Sequence, residues 1–268
     1  MDDACKTSKP ARRVSVEHAT LDFSCRDCGV YRLCAPLGLE SADLTLLERI
    51  VRRKNVHRRG EFLFHAGQGF DFVYALRSGS VKTFVSTDDG RIQITGLHVA
   101  GELLGLGAMG PQSYTCSAVA LEPTSVCRIA VERLEEIAAQ VPGIHREMVS
   151  IMSGQIVRDE ELLLLLGKRS AEERLAAFLM GLSNRFAQRQ LSPTRFQVSM
   201  SRSDIGNYLG LAEETVCRLL ARFQEQGLVN VHRRLIELND RERLHQLASG
   251  RGKAEVSVHR RGPATAES

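Results

Sequence analysis

The spacing of hydrophobic and polar residues changes several times along this chain of 268 residues. Residues 1–20 carry scattered charges without a period, which predicts disorder. A helical pattern then extends from residue 36 to about residue 55. After it, glycines separate short runs of β-branched and aromatic residues, which is typical of an antiparallel roll or barrel. Four of these runs are predicted strands, at residues 61–64, 72–76, 81–85 and 92–95.

A long helix is predicted from about residue 142 to residue 166. Its apolar positions alternate spacings of three and four residues, as in the contact face of a two-stranded coiled coil. Asp159 is the only charged residue in this series. The pattern fits a helix that packs on its own domain with one solvated carboxylate. It also fits a homodimer in which two Asp159 side chains meet and oppose association. The series comprises Val149, Met152, Ile156, Asp159, Leu163 and Leu166.

The C-terminal third has the pattern of a winged helix-turn-helix. Residues 170–173 have the form of a capping box, so a new helix begins there after a hinge. In residues 201–223 two amphipathic helices flank Gly210, which supplies a tight turn. Strands at residues 229–231 and 235–238 form the wing. The residues predicted to face inward are Ile205, Leu209, Val216, Leu219, Leu220 and Phe223, and the candidates for DNA contact are Arg202, Glu214, Cys217, Arg218, Arg222, Arg233 and Arg234.

Charge and composition narrow the class of protein. The net charge of +4 is mild, but residues 168–234 hold eleven Lys and Arg against six Asp and Glu, which places positive charge around the helix-turn-helix. No apolar run approaches the roughly twenty residues of a membrane helix, and no leader is present, so we expect a cytoplasmic protein without a membrane partner. Residues 249–268 are predicted to be a disordered basic tail.

Three of the seven cysteines, Cys25, Cys28 and Cys34, lie within ten residues. In a long cytoplasmic chain such a density indicates metal binding or thiol redox chemistry rather than a disulfide framework. Their spacing alone fits a structural zinc site and an iron–sulfur cluster equally well. A thiol–disulfide switch among the three residues remains a further alternative.

Four stretches share one family resemblance: CRDCGVYRLC from residue 25, IQITGLHVAGELLG from residue 92, MSGQIVRDEELLLLLGKRSAEERLAAF from residue 152 and SRSDIGNYLGL from residue 201. They resemble the cyclic-AMP receptor protein/FNR superfamily of transcription regulators, and specifically its oxygen-sensing FNR branch. The resemblance runs from about residue 25 to residue 247. It implies an α+β fold with an N-terminal antiparallel β-roll of the jelly-roll type, a dimerisation helix and a C-terminal winged helix-turn-helix.

The resemblance gives each predicted segment a role. Residues 21–140 would form the cysteine loop and the sensor roll, residues 141–167 the dimerisation helix, and residues 168–248 the DNA-binding domain. Such a protein regulates transcription by binding double-stranded DNA as a homodimer, with RNA polymerase as a further partner. No Ser-His-Asp set, P-loop or paired-carboxylate arrangement occurs, so we do not expect an enzyme. An iron–sulfur electron-transfer protein would not need a helix-turn-helix.

In the FNR branch the cysteine cluster binds [4Fe–4S], and a distant cysteine supplies the fourth thiolate. Cys116 and Cys127 are both candidates. Residues 121–127 look like the family's segment, so the resemblance implies the set Cys25, Cys28, Cys34 and Cys127. Cys127 could instead be a buried core thiol.

Two further expectations concern the ligand of the roll and the control of dimerisation. Nucleotide-binding relatives hold the cyclic phosphate with an Arg, but residues 110–127 contain no Arg or Lys, so we expect no cyclic nucleotide to bind. Ile156 and Asp159 match positions that tune dimerisation in the family. We expect the intact cluster to favour a dimer and its loss in O2 to restore repulsion between the two Asp159 carboxylates.

At the DNA surface the family pattern is Glu, two residues, Ser, Arg, with a TTGAT-like half-site. Glu214 and Arg218 match it, whereas Cys217 replaces the serine. Arg218 can donate to guanine and Glu214 can accept from cytosine, so we expect intact discrimination at the G·C pair. A thiol is a weak hydrogen-bonding group, which predicts weaker discrimination at the outer thymine. Ala212 replaces a capping Ser or Thr, a loss of about 1 kcal/mol that Glu213 partly offsets.

Overall fold

The structure, a computed structural model, describes residues 51–250. The predicted cysteine loop with Cys25, Cys28 and Cys34, the predicted helix before residue 51 and almost all of the predicted disordered segments lie outside these residues. The N-terminal part contains β1 (Val51–His57), β2 (Phe62–Phe64), β3 (Phe72–Ser78), β4 (Ser80–Ser86), β5 (Ile92–Val99), β6 (Leu103–Leu104), β7 (Ser117–Ala120) and β8 (Thr124–Ala130). It is followed by α1 (Val131–Gln140), α2 (Pro142–Lys168), α3 (Ala171–Gln188), β9 (Arg195–Gln197), α4 (Arg202–Leu209), α5 (Glu213–Glu225), β10 (Val229–His232), β11 (Leu235–Leu238) and α6 (Arg241–Ala248).

The first eight strands form a roll of two four-stranded sheets. Their orders are β1-β8-β3-β6 and β2-β7-β4-β5, and the pairings are antiparallel. Side chains from both sheets meet between them, where Phe64, Val73, Leu76, Val81 and Val126 are almost completely buried. Two antiparallel sheets around one core are a jelly-roll arrangement. The predicted α+β fold is therefore confirmed, and the four predicted strands are observed.

The predicted helix from residue 36 to about residue 55 is wrong at its C-terminal end, because residues 51–57 form a strand. Val51 lies opposite Ile129 and His57 lies opposite Thr124 in the pairing of β1 with β8. The partner strand is about seventy residues away in the sequence, so the local pattern carries no information about it. Helix α1 was not predicted either, although Val131, Leu134 and Ile137 recur every third residue on its buried face.

Helix α2 was predicted closely and changes its surroundings along its length. Ile144 is 2% exposed and Met148 is 7% exposed, because the first turns pack on the core of the roll. Beyond residue 155 the side chains of α2 are mostly exposed or half-buried. Helix α2 therefore extends from the roll towards the C-terminal helices. Neither α2 nor any other helix in residues 51–250 has the length and apolar composition of a membrane span.

The winged helix-turn-helix shares its hydrophobic core with the roll. Leu175, Leu179, Phe223 and Ile236 are buried at its centre, and Leu97 of β5 belongs to the same cluster. Two other roll side chains, those of Ile94 and Leu121, also join this cluster. The C-terminal part is therefore packed directly on the outer strand of the roll.

Polar contacts from α4 reinforce this packing at strand β5. The side-chain amide of Asn207 accepts from the backbone N–H of Ile94 (2.6 Å) and donates to the carbonyl of Ile92 (2.7 Å). It thereby satisfies backbone groups on β5, which is an edge strand of its sheet among residues 51–250. Lys82 Nζ lies 2.6 Å from Asp204 Oδ1. Both contacts fix α4 against the β4–β5 hairpin.

A second polar contact joins α3 to the turn after β5. Arg185 donates to both carboxylate oxygens of Glu102, at 3.0 and 2.7 Å, and Arg189 Nη2 donates to one of them at 2.7 Å. Burial opposes ionisation of Glu102, but Arg185, His98 and Arg189 outweigh it, so the pKa of Glu102 lies below its ordinary value. Arg189 also donates to the carbonyl of Ala100 at 2.7 Å. The two arginines therefore connect α3 to the roll through the Glu102 carboxylate and the Ala100 carbonyl.

His98 lies in this network and is held neutral. Burial is the main cause that lowers the pKa of His98, the guanidinium groups of Arg185 and Arg158 lower it as well, and Glu102 opposes the shift, so that the pKa is about 4. Its Nε2 lies 3.1 Å from Thr83 Oγ1. An imidazole that stays neutral when folded, but takes up a proton when unfolded, makes stability depend on pH.

We predict that the free energy of unfolding falls by roughly 1–2 kcal/mol between pH 7 and pH 5 through His98. The sign follows from its lowered pKa: the contribution is complete above the ordinary pKa of 6.5 and is lost as pH falls towards 4. Urea denaturation of the wild-type protein and of His98→Gln at both pH values measures it. The variant should show the smaller decrease, since other titrating groups are common to both proteins. An equal decrease in both would contradict the prediction.

Candidate nucleic-acid interface

Helix α4 begins and ends as its sequence predicts. Ser201 Oγ accepts from the N–H of Asp204 (3.0 Å), and Asp204 Oδ2 accepts from the N–H of Ser201 (3.1 Å), which forms a capping box. The helix ends at Gly210, whose φ of 62° is the left-handed conformation that favours glycine. Gly210 therefore supplies the tight turn that its position indicated.

A second glycine, Gly206, allows the turn to fold back on the helix. A Cβ atom at this position would lie 2.5 Å from the carbonyl oxygen of Leu211, closer than two such atoms can approach. The N–H of Leu211 donates to the carbonyl of Gly206 at 2.8 Å. This role was not predicted from the sequence, although a small residue one turn before Gly210 was the available signal.

Helix α5 presents a polar face to solvent. Its buried side chains, Val216, Leu219, Leu220 and Phe223, are those predicted to face inward. The buried residues Ile205 and Leu209 of α4 complete this face. On the opposite side the four predicted DNA contacts of α5 are exposed: Glu214, Cys217, Arg218 and Arg222. Arg222 also lies 3.7 Å from Glu172 of α3.

The start of α5 lacks a side-chain cap. Ala212 is the N-cap residue with extended backbone angles, and no side chain accepts a hydrogen bond from the first turn. Glu213 and Glu214 occupy that turn, where negative charge interacts favourably with the helix dipole. The structure therefore agrees with the prediction that Ala212 provides no side-chain cap for α5.

The wing is a hairpin that Arg202 connects to α4. Strands β10 and β11 pair from Val229 opposite Leu238 to His232 opposite Leu235, and β9, which was not predicted, adds a third strand. Arg202 Nη2 donates to the carbonyl of Arg233 at the tip (2.9 Å). The side chains of Arg233 and Arg234 are exposed beside it. Arg202 is thus not simply a solvated surface charge.

Helix α2 carries an apolar stripe that residues 51–250 leave exposed. Val149, Ile156 and Leu163 are 44%, 59% and 71% exposed and lie seven residues apart. Met152 of the same predicted series is half-buried. Asp159 is exposed and accepts a hydrogen bond from Gln155 Nε2 at 2.7 Å. The regular spacing places these apolar side chains on one face of the helix.

This stripe borders a cavity of about 560 Å³ between the roll and α2. Ile156 and Asp159 line its edge, together with Arg158. A cation therefore does face this pocket, because Arg158 comes from the helix rather than from the roll. Glu102 does not line the cavity; its carboxylate is bonded to Arg185 and Arg189 instead.

The two candidates for the fourth cysteine ligand lie in different parts of the roll. Cys127 is half-buried on β8, opposite Ala75 of β3 and beside the irregularity of β1. Cys116 precedes β7, lines the cavity, and has a pKa raised by burial. Within residues 51–250 no group of three or more His, Cys, Asp or Glu side chains could hold a metal ion.

Comparison with known proteins identifies the family. The profile of the Crp-like helix-turn-helix domain matches residues 173–247, and that of the cyclic nucleotide-binding domain matches residues 54–141. The chain is 48% identical to the transcriptional activator protein Anr of Pseudomonas protegens, over 84% of this chain and 93% of that protein. It is 44% identical to the fumarate and nitrate reduction regulatory protein of Escherichia coli, over 89% and 96% of the two chains. The chain belongs to the Anr/FNR branch of the Crp/FNR family.

A solved structure supports the same assignment. FixK2 from Bradyrhizobium japonicum is 32% identical and superposes with a TM-score of 0.67, over 72% of this chain and 96% of that one. As an Anr/FNR relative, the protein is a transcription regulator with a DNA-binding domain of the Crp type. The exposed face of α5 belongs to this domain.

We predict that Ala212→Ser raises the free energy of unfolding by about 1 kcal/mol, because a hydroxyl at the N-cap can accept from the first turn of α5. Ser201→Ala, which removes the existing cap of α4, is the matched control and should lower stability by a similar amount. Urea denaturation measures both variants. The prediction is wrong if Ser201→Ala destabilises the protein while Ala212→Ser leaves it unchanged.

Proposed function

We propose that the protein is an oxygen-responsive transcription regulator that controls anaerobic gene expression. In this proposal Cys25, Cys28, Cys34 and Cys127 hold a [4Fe–4S] cluster, the intact form is a homodimer, and the dimer binds inverted repeats of TTGAT-like half-sites. The observation that carries the proposal is the apolar stripe of α2, which one carboxylate interrupts and which leads directly into a helix-turn-helix. RNA polymerase is the expected partner of the DNA-bound dimer.

Dimerisation follows from the stripe on α2. Three large apolar side chains at heptad spacing are left exposed by residues 51–250 of their own chain, and pairing with a second copy would bury them. Asp159 lies in the same series, so two copies bring two carboxylates together and like charge opposes association. Dimer stability is therefore sensitive to a small additional contribution from elsewhere in the protein.

The fourth cysteine can supply that contribution through the topology of the roll. The segment with the first three cysteines leads into β1, and β1 pairs with β8, the strand of Cys127. Cys116 precedes β7, which pairs with β2 and β4 in the other sheet. We therefore favour Cys127 as the ligand. The cluster would supply iron–thiolate bonds that tie the N-terminal segment to the roll, and its oxidation by O2 would release that segment.

The exposed face of α5 supports base contacts in the major groove. Arg218 and Glu214 are both exposed, one turn apart, on the side of α5 opposite its buried residues. Arg218 can donate to guanine O6 and N7, and Glu214 can accept from the cytosine amino group of the same pair. Cys217 offers a small apolar surface for a thymine methyl group. Two copies related by a twofold axis would contact an inverted repeat.

A cyclic nucleotide is not the ligand that we propose for the roll. The strands between residues 110 and 127 contribute no cation to the cavity, and Glu102 is already bonded to two arginines of α3. Arg158 is the cation that lines the cavity, and its Nη2 donates to Gln155 at 2.8 Å. A cyclic phosphate would have to compete for that group.

We predict that protein purified without air contains iron and acid-labile sulfide in equal amounts, with visible absorbance that fades in air. Cys127→Ser should lose both elements, because a ligand is missing. Cys116→Ser is the matched control and should retain them. Iron, sulfide and zinc analysis with visible spectroscopy measures all three proteins. Stoichiometric zinc without sulfide would overturn the proposal in favour of a zinc or thiol-based regulator.

We predict that Asp159→Ala forms dimers in air and binds a TTGAT inverted repeat there, since the like-charge repulsion is gone. The dimer dissociation constant should fall by about tenfold or more, equivalent to roughly 1.4 kcal/mol. Analytical ultracentrifugation and DNA binding in air measure the two effects. DNA in which each G·C pair is replaced by A·T should bind weakly.

Glu161→Ala is the control for the Asp159 experiment. Glu161 is an exposed carboxylate of the same helix, two residues along and outside the apolar series, so its removal should leave the protein monomeric in air. An Asp159→Ala protein that remains monomeric would contradict the proposed switch.

A further inference from the structure

Arg174 of α3 donates hydrogen bonds to carbonyl oxygens of three different parts of the chain. Its Nη2 donates to Leu166 in the last turn of α2 at 2.7 Å. Its Nε donates to Arg169, between α2 and α3, at 3.0 Å. Its Nη1 donates to Leu209, the last residue of α4, at 3.1 Å and approaches the carbonyl of Gly210 at 3.5 Å. One guanidinium therefore connects the end of α2 to the turn of the helix-turn-helix.

These carbonyls need an outside donor. The last turn of a helix has C=O groups without an intrahelical partner, and it carries the negative end of the helix dipole. Arg174 supplies donors and positive charge to two helix ends at once. Five N–H groups in a fixed planar fork make this possible, whereas the single ammonium group of a lysine cannot reach the same set of acceptors.

Apolar contacts bring the same elements together. A Cβ atom at Gly210 would lie 3.3 Å from Arg174 Nη1 and 3.5 Å from Leu166 Cδ2. Leu165, also in the last turn of α2, packs against the core of the helix-turn-helix. The end of α2 and the turn after α4 are therefore in direct contact, with Arg174 as the polar connection between them.

We propose that Arg174 is a positioning residue that fixes how the helix-turn-helix is held on the dimerisation helix. The inference rests on the proposed function, because it requires a homodimer that binds an inverted repeat. In such a dimer the separation of the two α5 helices depends on the orientation of each helix-turn-helix relative to its own α2. Half-site spacing in the DNA matches that separation. Arg174 thereby determines which spacing the dimer accepts.

The experiment measures DNA affinity of the full-length protein, purified without air, for inverted repeats whose spacers differ by one base pair. The wild-type dimer should prefer one spacer over its neighbours by about tenfold or more, because each half-site must meet a rigidly held helix. In Arg174→Met this preference should fall to about threefold or less. The dimer dissociation constant should stay within about twofold of the wild-type value, since Arg174 is outside the apolar stripe.

Arg243→Met is the matched control, because Arg243 is an exposed arginine of α6 whose side chain has no hydrogen bond or ion pair within residues 51–250. It removes the same charge and should keep the wild-type spacer preference. Arg174→Lys is measured in parallel and should also lose the preference. If circular dichroism shows that Arg174→Met is unfolded, the spacer preference of Arg174→Lys tests the inference instead.

The outcomes separate this inference from the function on which it rests. If wild-type protein binds no inverted repeat, the proposed function fails. If the wild-type protein shows a spacer preference and folded Arg174 variants retain it, the Arg174 inference fails while the proposed function stands. Lower thermal stability with an unchanged preference would show a structural role only and would also overturn the inference.

Discussion

Helix α2 carries more apolar surface than residues 51–250 of its own chain cover, and the other parts of the structure are arranged around that fact. Burial of one large aliphatic side chain contributes about 1.5–3 kcal/mol, so three positions on each of two helices give on the order of 10 kcal/mol. Association itself costs about 4–15 kcal/mol. These magnitudes nearly cancel, which makes the helix a sensitive place for Asp159. Its first turns are fixed in the roll and its last turn is fixed to the helix-turn-helix, so a change in pairing acts on both.

The contacts between the roll and the helix-turn-helix have a different character. They combine a shared apolar core with charged and amide groups from opposite sides, such as Glu102 with Arg185 and Asn207 with β5. Partly buried charges that satisfy each other specify one arrangement more strongly than apolar contact alone. Glu102 is instructive because its carboxylate, in the turn after β5, serves the contact between the roll and the helix-turn-helix. The carboxylate of Glu102 consequently does not line the cavity.

Local features were predictable from the sequence because their causes are local. The capping boxes at Ser170 and Ser201, the turn at Gly210 and the buried face of α5 depend on residues within one or two helical turns. Strand β1 was mistaken for helix, since its partner lies in β8. The roles of Arg174 and Asn207 were equally out of reach, because their bonds join elements that are distant in the sequence. Of the candidate site, the exposed residues were predictable, whereas the residues that orient them were not.

The backbone at the tip of the wing is strained at Arg233. Arg233 has a φ of 57°, a conformation that costs a residue with a Cβ atom about 1 kcal/mol or more and costs glycine almost nothing. Its carbonyl oxygen, which accepts from Arg202, would be present with any residue. Arginine differs from glycine here in its guanidinium, which is exposed at the tip of the hairpin, and in the smaller backbone entropy that it loses on folding. Arginine at this position has a strained backbone, and it places a positive charge at the outermost point of the hairpin.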